Sequence, residues 1–273
     1  MKWFGNVRKM GSHVDESGRV TYAFRGCDVV EPLESWSVND LVGQHIRVSF
    51  EGAIHCVETG RPIRKTYGEG LSYDAFLKSP LACPSIIRPE LSRIHEGIAL
   101  RDEAWERANH LQPHVVYVSQ TSGFKVGVTR KTNVPSRWVD QGAVAAMILA
   151  EVPYRQLAGE IEVVLKEHMN DRTNWRAMLK EVAADQPALE EVREACFEHL
   201  ATGYEDYLDL EDVWHEFHFP VGQYPDKVKS AKLDKAPCLE GTLLGVKGQY
   251  WLFDTGEVWN VRSHAGYRVA IES

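Results

Sequence analysis

A short stretch in the middle of the chain concentrates positive charge. The segment SGFKVGVTRKTNVPSRW, residues 122–138, carries the cations Lys125, Arg130, Lys131 and Arg137. The chain as a whole is acidic, with 39 Asp and Glu residues against 31 Lys and Arg residues. Such a cluster is ordinarily a solvated turn, but its side chains could also bind the phosphate oxygens of a polyanion. Phosphate binding requires that neighbouring elements bring these side chains together.

Two strand-like runs lie around the start of the stretch, and the second of them contains its first lysine, Lys125. HVVYVS and FKVGVT are joined by QTSG, whose length and composition suit a hairpin. Alternation along the strands places Val116, Val118 and Val126 on one face, whereas Tyr117 and Lys125 share the other. The hairpin is therefore predicted to have a core face and a polar face that could do chemistry.

The helices predicted after the hairpin supply an arginine and a carboxylate. Arg137 begins one helix-like segment, and Gln141 lies one turn further on the same side. Glu160 and Glu162 both border the apolar stripe of a later helix, and their spacing does not choose between them. A tyrosine, a lysine, an arginine and a carboxylate could therefore converge. Phosphodiester cleavage uses a base, a positive charge facing the phosphate, and often a carboxylate that holds Mg²⁺.

The order of elements through this region predicts an α+β fold. After the hairpin and first helix, AAMILAEV suits a buried strand, although its front half could extend the helix. YRQLAGEIEVVLKEHM has apolar residues at helical spacing. DRTNWRAMLKEVAA suggests a further helix with Asp171 or Thr173 near its cap. The predicted order is strand, strand, helix, strand, helix, helix.

The chain is predicted to contain four segments. Residues 1–110 begin as a β module and continue through an irregular, turn-rich region. Residues 111–184 form the central ββαβαα domain, and residues 185–218 form an acidic helical connector. Residues 219–273 return to short strands with glycine turns, a pattern that resembles a small SH3-like or OB-like barrel.

Composition narrows the class of protein. A net charge of −8 argues against a non-specific nucleic-acid coat protein, so any polyanion site must be local. The N-terminal residues lack an apolar core of signal-peptide length, and no apolar run approaches the roughly 18 residues that span a bilayer. We therefore expect a cytoplasmic protein without a membrane partner. Its cysteines are odd in number and widely spaced, unlike a disulfide framework: Cys27, Cys56, Cys83, Cys196 and Cys238.

The hairpin and the order of elements after it resemble the GIY-YIG nuclease superfamily. VVY at 115–117 stands for the first triplet and KVG at 125–127 for the second. The resemblance implies that Tyr117 is the first-triplet tyrosine. Lys125 stands where these enzymes have the second-triplet tyrosine, which is thought to act near the nucleophile. A lysine can neutralise phosphate but is a poor base unless burial lowers its pKa.

The same resemblance implies roles for three later residues. Arg137 would be the helix arginine that faces phosphate, and its position at a helix start, where the dipole disfavours a cation, favours anion binding. Glu162 would be the glutamate that holds Mg²⁺, and Asn174 a late polar residue of the site. Residues that could contact nucleic acid are Lys125, Arg130, Lys131, Arg137, Gln141 and Asn174.

Longer motifs look more closely like an uncharacterised bacterial and archaeal family, domain of unknown function 2797. They are GFKVGVTRKTNVPSRWVDQGA, DRTNWRAML and KGQYWLFDTGEVWNVRSHAGY, and the likeness covers most of the chain. It implies a cysteine-rich, metal-binding segment at 56–99, where this chain keeps only Cys56, Cys83 and the histidine His95 as candidates. A structural zinc needs four nitrogen or sulfur ligands, so no zinc is expected.

Three functions remain open at this level. The first is a nucleic-acid-acting protein of GIY-YIG type that cleaves phosphodiesters with Mg²⁺. The second is an inactive module that binds DNA or RNA in a phosphate-facing groove. The third is a protein-interaction scaffold, which the net charge of −8 also suits.

Overall fold

The computed structural model describes residues 1–169 and 172–273. The chain has an α+β fold that divides into two compact units. The first unit contains residues 1–77, 179–181 and 218–273, and the second contains residues 78–178 and 182–217. Within the described residues, no helix is both long and apolar enough to cross a membrane.

The strands are numbered along the chain. They are β1 (Lys2–Val14), β2 (Val20–Asp28), β3 (Glu31–Pro32), β4 (Trp36–Ser37), β5 (His45–His55), β6 (Pro62–Ile63), β7 (His114–Gln120), β8 (Phe124–Arg130), β9 (Ala145–Val152), β10 (His215–Glu216), β11 (Lys229–Ser230), β12 (Cys238–Lys247), β13 (Tyr250–Phe253), β14 (Glu257–Asn260) and β15 (Tyr267–Glu272). The α-helices are α1 (Tyr73–Lys78), α2 (Pro84–Ile87), α3 (Glu103–His110), α4 (Ser136–Asp140), α5 (Arg155–Lys166), α6 (Trp175–Met178) and α7 (Gln186–Leu200).

A single sheet organises the first unit. Its strand order is β11-β14-β13-β12-β5-β15-β1-β2-β3, with β4 paired to β2 and β6 paired to β5. Strand β5 lies between β12 and β15, so strands from both ends of the chain alternate in one sheet. The sequence pattern predicts these strands in separate modules, because alternation identifies a strand without identifying its partner.

A lysine lies inside this unit. Lys247, at the end of β12, is fully buried, and its Nζ atom has no hydrogen-bond partner among the residues that the structure describes. The ammonium lies 5.4 Å from the ring centre of Phe219 and 5.2 Å from that of Tyr224. Burial lowers the pKa of Lys247 to about 8. The two aromatic rings compensate only part of the hydration that the ammonium loses on burial, so the charged form is disfavoured.

The second unit contains the predicted hairpin. Strands β7 and β8 pair in antiparallel register, β9 pairs with the other edge of β7, and β10 pairs with β9. The order β7, β8, α4, β9, α5, α6 agrees with the order predicted from the sequence. AAMILAEV forms the strand β9 and does not extend the helix before it. The predicted cap Asp171 lies outside the described residues.

The core of the second unit extends beyond the predicted central domain. Val116, Val118 and Val126 of the hairpin pack with Ile161 of α5, and residues of α7 complete this core. The stretch 185–218, expected as a connector, therefore contributes a helix to the core. The turn at Pro89–Leu91 packs so closely on α5 that a Cβ atom at Gly159 would lie 2.2 Å from the backbone nitrogen of Glu90. Part of the irregular region thus supports the helix that carries Glu162.

Candidate functional site

The polar face of the hairpin is built around Tyr117. Its hydroxyl is buried and donates a hydrogen bond to Oε1 of Gln141 at 2.9 Å. The Nζ atom of Lys125, which is 4% exposed, donates to the same oxygen at 2.8 Å. Gly127 lies directly opposite Tyr117 in the sheet, where a Cβ atom would stand 2.6 Å from the phenolic oxygen. The missing side chain of Gly127 therefore leaves room for the tyrosine ring. The hydroxyl of that ring is bound to Gln141, the residue that follows α4.

Two further predicted residues act on the same hydroxyl. Burial raises the pKa of Tyr117, and the charge of Glu162 adds to this rise. The positive charge of Arg137 and a hydrogen bond from its guanidinium oppose it. The structure therefore brings four predicted residues together. Around Tyr117 and its partner Gln141 lie Lys125, Arg137 and Glu162.

The structure distinguishes the two candidate glutamates. Glu162 is buried, and its carboxylate pairs with Lys166 one turn later on α5 at 3.0 Å. Glu160 is exposed and accepts a hydrogen bond from Gln156 at 2.6 Å. Glu162 is thus the glutamate whose charge acts on Tyr117.

Arg155 joins the site, although the sequence analysis did not identify it. Its guanidinium donates to the backbone oxygens of Ser85 at 2.8 Å and Ile86 at 2.9 Å. Burial, together with repulsion from Arg137 and Arg130 and against the opposing effect of Glu162, lowers the pKa of Arg155 to about 10. Its position at the first residue of α5, where a cation is disfavoured, was the available sequence signal.

Arg130 completes a group of three arginines. Its guanidinium donates to the side-chain oxygens of Asn109 and Asn133. The charges of Arg130 and Arg137 both repel the guanidinium of Arg155, and we call these three residues the arginine cluster.

Two histidines border the arginine cluster and carry no charge at neutral pH. Burial, assisted by the charges of Arg155 and Arg130, lowers the pKa of His110 to about 3 and that of His114 to about 4. Nδ1 of His114 lies 2.7 Å from the backbone oxygen of Gln112, which favours a proton on that nitrogen. Nε2 of His114 is buried and has no hydrogen-bond partner within residues 1–169 and 172–273. These two histidines therefore add no positive charge beside the arginines at neutral pH.

Lys131 and Asn174 have other partners. Lys131 is exposed and pairs with Glu151 at 2.6 Å. Asn174 caps α6, because its Oδ1 accepts hydrogen bonds from the backbone nitrogens of Arg176 at 3.1 Å and Ala177 at 3.3 Å. The cap is therefore Asn174, whereas Thr173 was expected as one alternative. These partners differ from those of Tyr117 and Arg137.

The candidate zinc ligands are divided between the units. Cys56 belongs to the first unit, whereas Cys83 and His95 belong to the second. Burial raises the pKa of Cys56, but hydrogen bonds from Thr59 and from the backbone nitrogen of Ser72 outweigh it and lower the value to about 7. Among residues 1–169 and 172–273, no three His, Cys, Asp or Glu side chains are grouped so as to hold a metal ion.

Comparison with known proteins gives a family but no characterised relative. None of the curated proteins and none of the solved structures is significantly similar to the chain. Residues 43–269, which are most of the chain and include both triplets and the arginine cluster, match a family described as protein of unknown function (DUF2797). The chain belongs to that family.

Proposed function

We propose that the second unit binds the phosphodiester backbone of nucleic acid at the arginine cluster. The observation that carries this proposal is that the backbone oxygens of Ser85 and Ile86 hold the guanidinium of Arg155 in a place where the charges of Arg137 and Arg130 repel it. Like charges at short range raise the free energy of the folded state, and a bound anion offsets that cost. Glu162 is already paired with Lys166, so it compensates the three guanidinium groups only in part.

Two features favour phosphate groups of nucleic acid as the anion. Guanidinium groups bind phosphate oxygens through paired hydrogen bonds, and arginine is the usual choice for this contact. The cluster also borders the hairpin that resembles the GIY-YIG triplets, and the guanidinium of Arg137 donates a hydrogen bond to the Tyr117 hydroxyl on that hairpin. We infer that successive phosphates lie along the side of the hairpin from Arg137 towards Arg130.

Binding without cleavage is the form of this function that the geometry favours. Tyr117 is fully buried, its hydroxyl is bound to Gln141, and its pKa is raised, so it is a poor base in this conformation. Lys125, which occupies the second-triplet tyrosine position, is also buried and shares the Gln141 oxygen. Cleavage is the second candidate, and the grouping of Tyr117, Arg137 and Glu162 favours it.

Magnesium fits the described residues poorly. Mg²⁺ in phosphoryl-transfer sites is held by one or two carboxylates together with substrate oxygens and water. Here Glu162 is buried and paired with Lys166, and Arg155 is within range of the same carboxylate. A second cation would have to displace one of these contacts, so no step of the proposed binding uses a metal.

The experiment compares two cations of the same short stretch. Binding of labelled branched, duplex and single-stranded DNA and RNA is measured by fluorescence anisotropy over a salt series, with wild type, Arg137→Ala and Lys131→Ala. Arg137→Ala is expected to weaken binding by about tenfold or more, because a charge-assisted phosphate contact is lost. Lys131→Ala is expected to remain within about twofold of wild type, because Lys131 is engaged by Glu151. Equal losses in the two variants, or no binding near physiological salt, contradict the proposal.

A second readout separates binding from cleavage. The same nucleic acids are incubated with Mg²⁺, and their length is followed for wild type and Tyr117→Phe. Intact products support the binding form. Cleavage by wild type that Tyr117→Phe abolishes selects the nuclease form and shows that Tyr117 becomes accessible when substrate binds.

A further inference from the structure

The second unit also contains a large concave surface, which we call the β9 groove. It has a volume of about 850 Å³ and lies beside the outer edge of β9, with Ile148 and Leu208 among its lining residues. This volume is within the range of sites that enclose small ligands or several side chains of a peptide. The groove therefore has room for a partner of that size.

The chain builds the groove by interrupting a strand pairing. Leu208 pairs with Ala150, and His215 pairs with Ala146, so residues 209–214 lie opposite the much shorter stretch 147–149. The excess residues bulge away from the edge of β9.

A buried arginine holds the bulge in this shape. Arg193 of α7 is 8% exposed and donates to the backbone oxygens of Asp209 at 2.8 Å and Glu211 at 3.3 Å. It also pairs with the carboxylate of Asp212 at 3.3 Å. The wall of the groove is thus preorganised by contacts made beneath it.

The groove carries negative charge, and it already contains an ammonium group. The carboxylates of Glu151, Asp206, Asp209 and Glu211 line it, and Lys131 is the one lysine or arginine among the described residues that line it. Lys131 bonds to Glu151, and this bond, together with the charges of Glu151, Asp209 and Glu211, raises the pKa of Lys131. Several carboxylates of the groove therefore stabilise the charge of Lys131 together. Since the groove has four carboxylates and one ammonium group, its net charge is negative.

Apolar side chains stand among these charges. Leu210 is 78% exposed and Val213 is 47% exposed, and both line the groove. Large apolar side chains so open to water, held beside a concave surface, are typical of places where a partner docks. Charge and apolar surface occur here side by side.

We propose that the β9 groove binds a short cationic segment of a partner protein. A lysine or arginine side chain of the segment lies among Asp209, Glu211 and Asp206, and an adjacent apolar side chain packs on Leu210 and Val213. Nucleic acid is repelled by this surface, so the groove and the arginine cluster take opposite ligands. A polyamine satisfies the carboxylates but leaves the two apolar side chains uncovered, which is why the proposal commits to a peptide.

The test uses two labelled peptides and wild-type protein at low salt. One peptide alternates lysine with leucine, and the other has serine in place of each leucine. The lysine–leucine peptide is expected to bind about fivefold more tightly or better, because only it covers the apolar side chains. Equal affinity for the two peptides, or no binding of either, overturns the proposal.

Variants that change the charge of the groove test whether the peptide binds there. Removing carboxylates should weaken peptide binding, whereas removing the lysine should tighten it. Asp209→Asn combined with Glu211→Gln is expected to weaken the lysine–leucine peptide by about fivefold to tenfold. Lys131→Met frees Glu151 and is expected to tighten it by about threefold, while nucleic-acid binding stays near wild type. The matched control is Glu194→Gln with Glu198→Gln, which removes the same charge from exposed positions of α7 outside the groove. Losses as large in this control as in the groove variant, or weaker binding by Lys131→Met, overturn the assignment.

Discussion

Replacing Lys247 by methionine should stabilise the protein. The lysine is fully buried beside two aromatic rings, and no described residue forms a hydrogen bond with its ammonium. Burial lowers its pKa from 10.5 to about 8, and each pKa unit between the folded and unfolded states corresponds to about 1.4 kcal/mol. At pH 7 the charged lysine therefore costs the folded state about 3 kcal/mol. Methionine has a similar length and carries no charge, so Lys247→Met removes that cost.

The sign of the pH dependence follows from the same values. Between about pH 8 and pH 10.5 the unfolded chain binds a proton at Lys247 that the folded chain has released. Wild-type stability at this site therefore rises with pH across that window, by about 1.4 kcal/mol per pH unit at most. The advantage of Lys247→Met is expected to be about 3 kcal/mol at pH 7 and near zero above pH 10.5.

Urea denaturation at pH 7 and at pH 9.5 measures this difference. Lys235→Met, which changes an exposed lysine of the same unit, is the control and should alter the free energy of unfolding little at either pH. The reasoning is refuted if Lys247→Met is no more stable than wild type at pH 7, or if its advantage does not decrease with rising pH.

Three further variants test the second unit. Gly127→Ala places a Cβ atom 2.6 Å from the Tyr117 oxygen and should lower the free energy of unfolding by about 1–3 kcal/mol, as measured by urea denaturation. Tyr117→Phe should cost about 1 kcal/mol through the lost hydrogen bond to Gln141 and leave nucleic-acid affinity unchanged; a large loss of affinity would contradict the structural role. Arg193→Ala should release residues 209–212, so limited proteolysis is expected to cut there faster than in wild type, and an unchanged cleavage pattern would count against the bulge being held by Arg193.

Local patterns predicted the elements of the site well. Alternation in HVVYVS and FKVGVT identified the hairpin and the shared face of Tyr117 and Lys125, because side-chain direction in a strand depends only on position along it. The choice between Glu160 and Glu162 needed the structure, since both border the apolar stripe of one helix. It depends on where α5 lies against the hairpin, which spacing along a helix does not determine.

Contacts between residues that are distant in sequence could not be predicted from the sequence. Arg155 is held by carbonyl oxygens at Ser85 and Ile86, in a region whose turn signals predict no regular structure. Lys131 was expected to face phosphate with its neighbours, but it pairs with Glu151 of β9, a strand that is separated from β8 by β7. The single sheet that contains strands from both ends of the chain could not be predicted for the same reason, because strand pairing depends on tertiary packing.

The most direct measurement is the side-chain NMR signal of each arginine during titration with a short oligonucleotide. Resonances of the Nε–Hε groups are assigned by single Arg→Lys variants, and Arg193, which is occupied by residues 209–212, serves as the internal reference. Binding at the arginine cluster predicts that Arg130, Arg137 and Arg155 shift together along one saturable curve while Arg193 does not move. Shifts of Arg193 as large as those of the other three, or no shift of the three at saturating oligonucleotide, would contradict phosphate binding at this site.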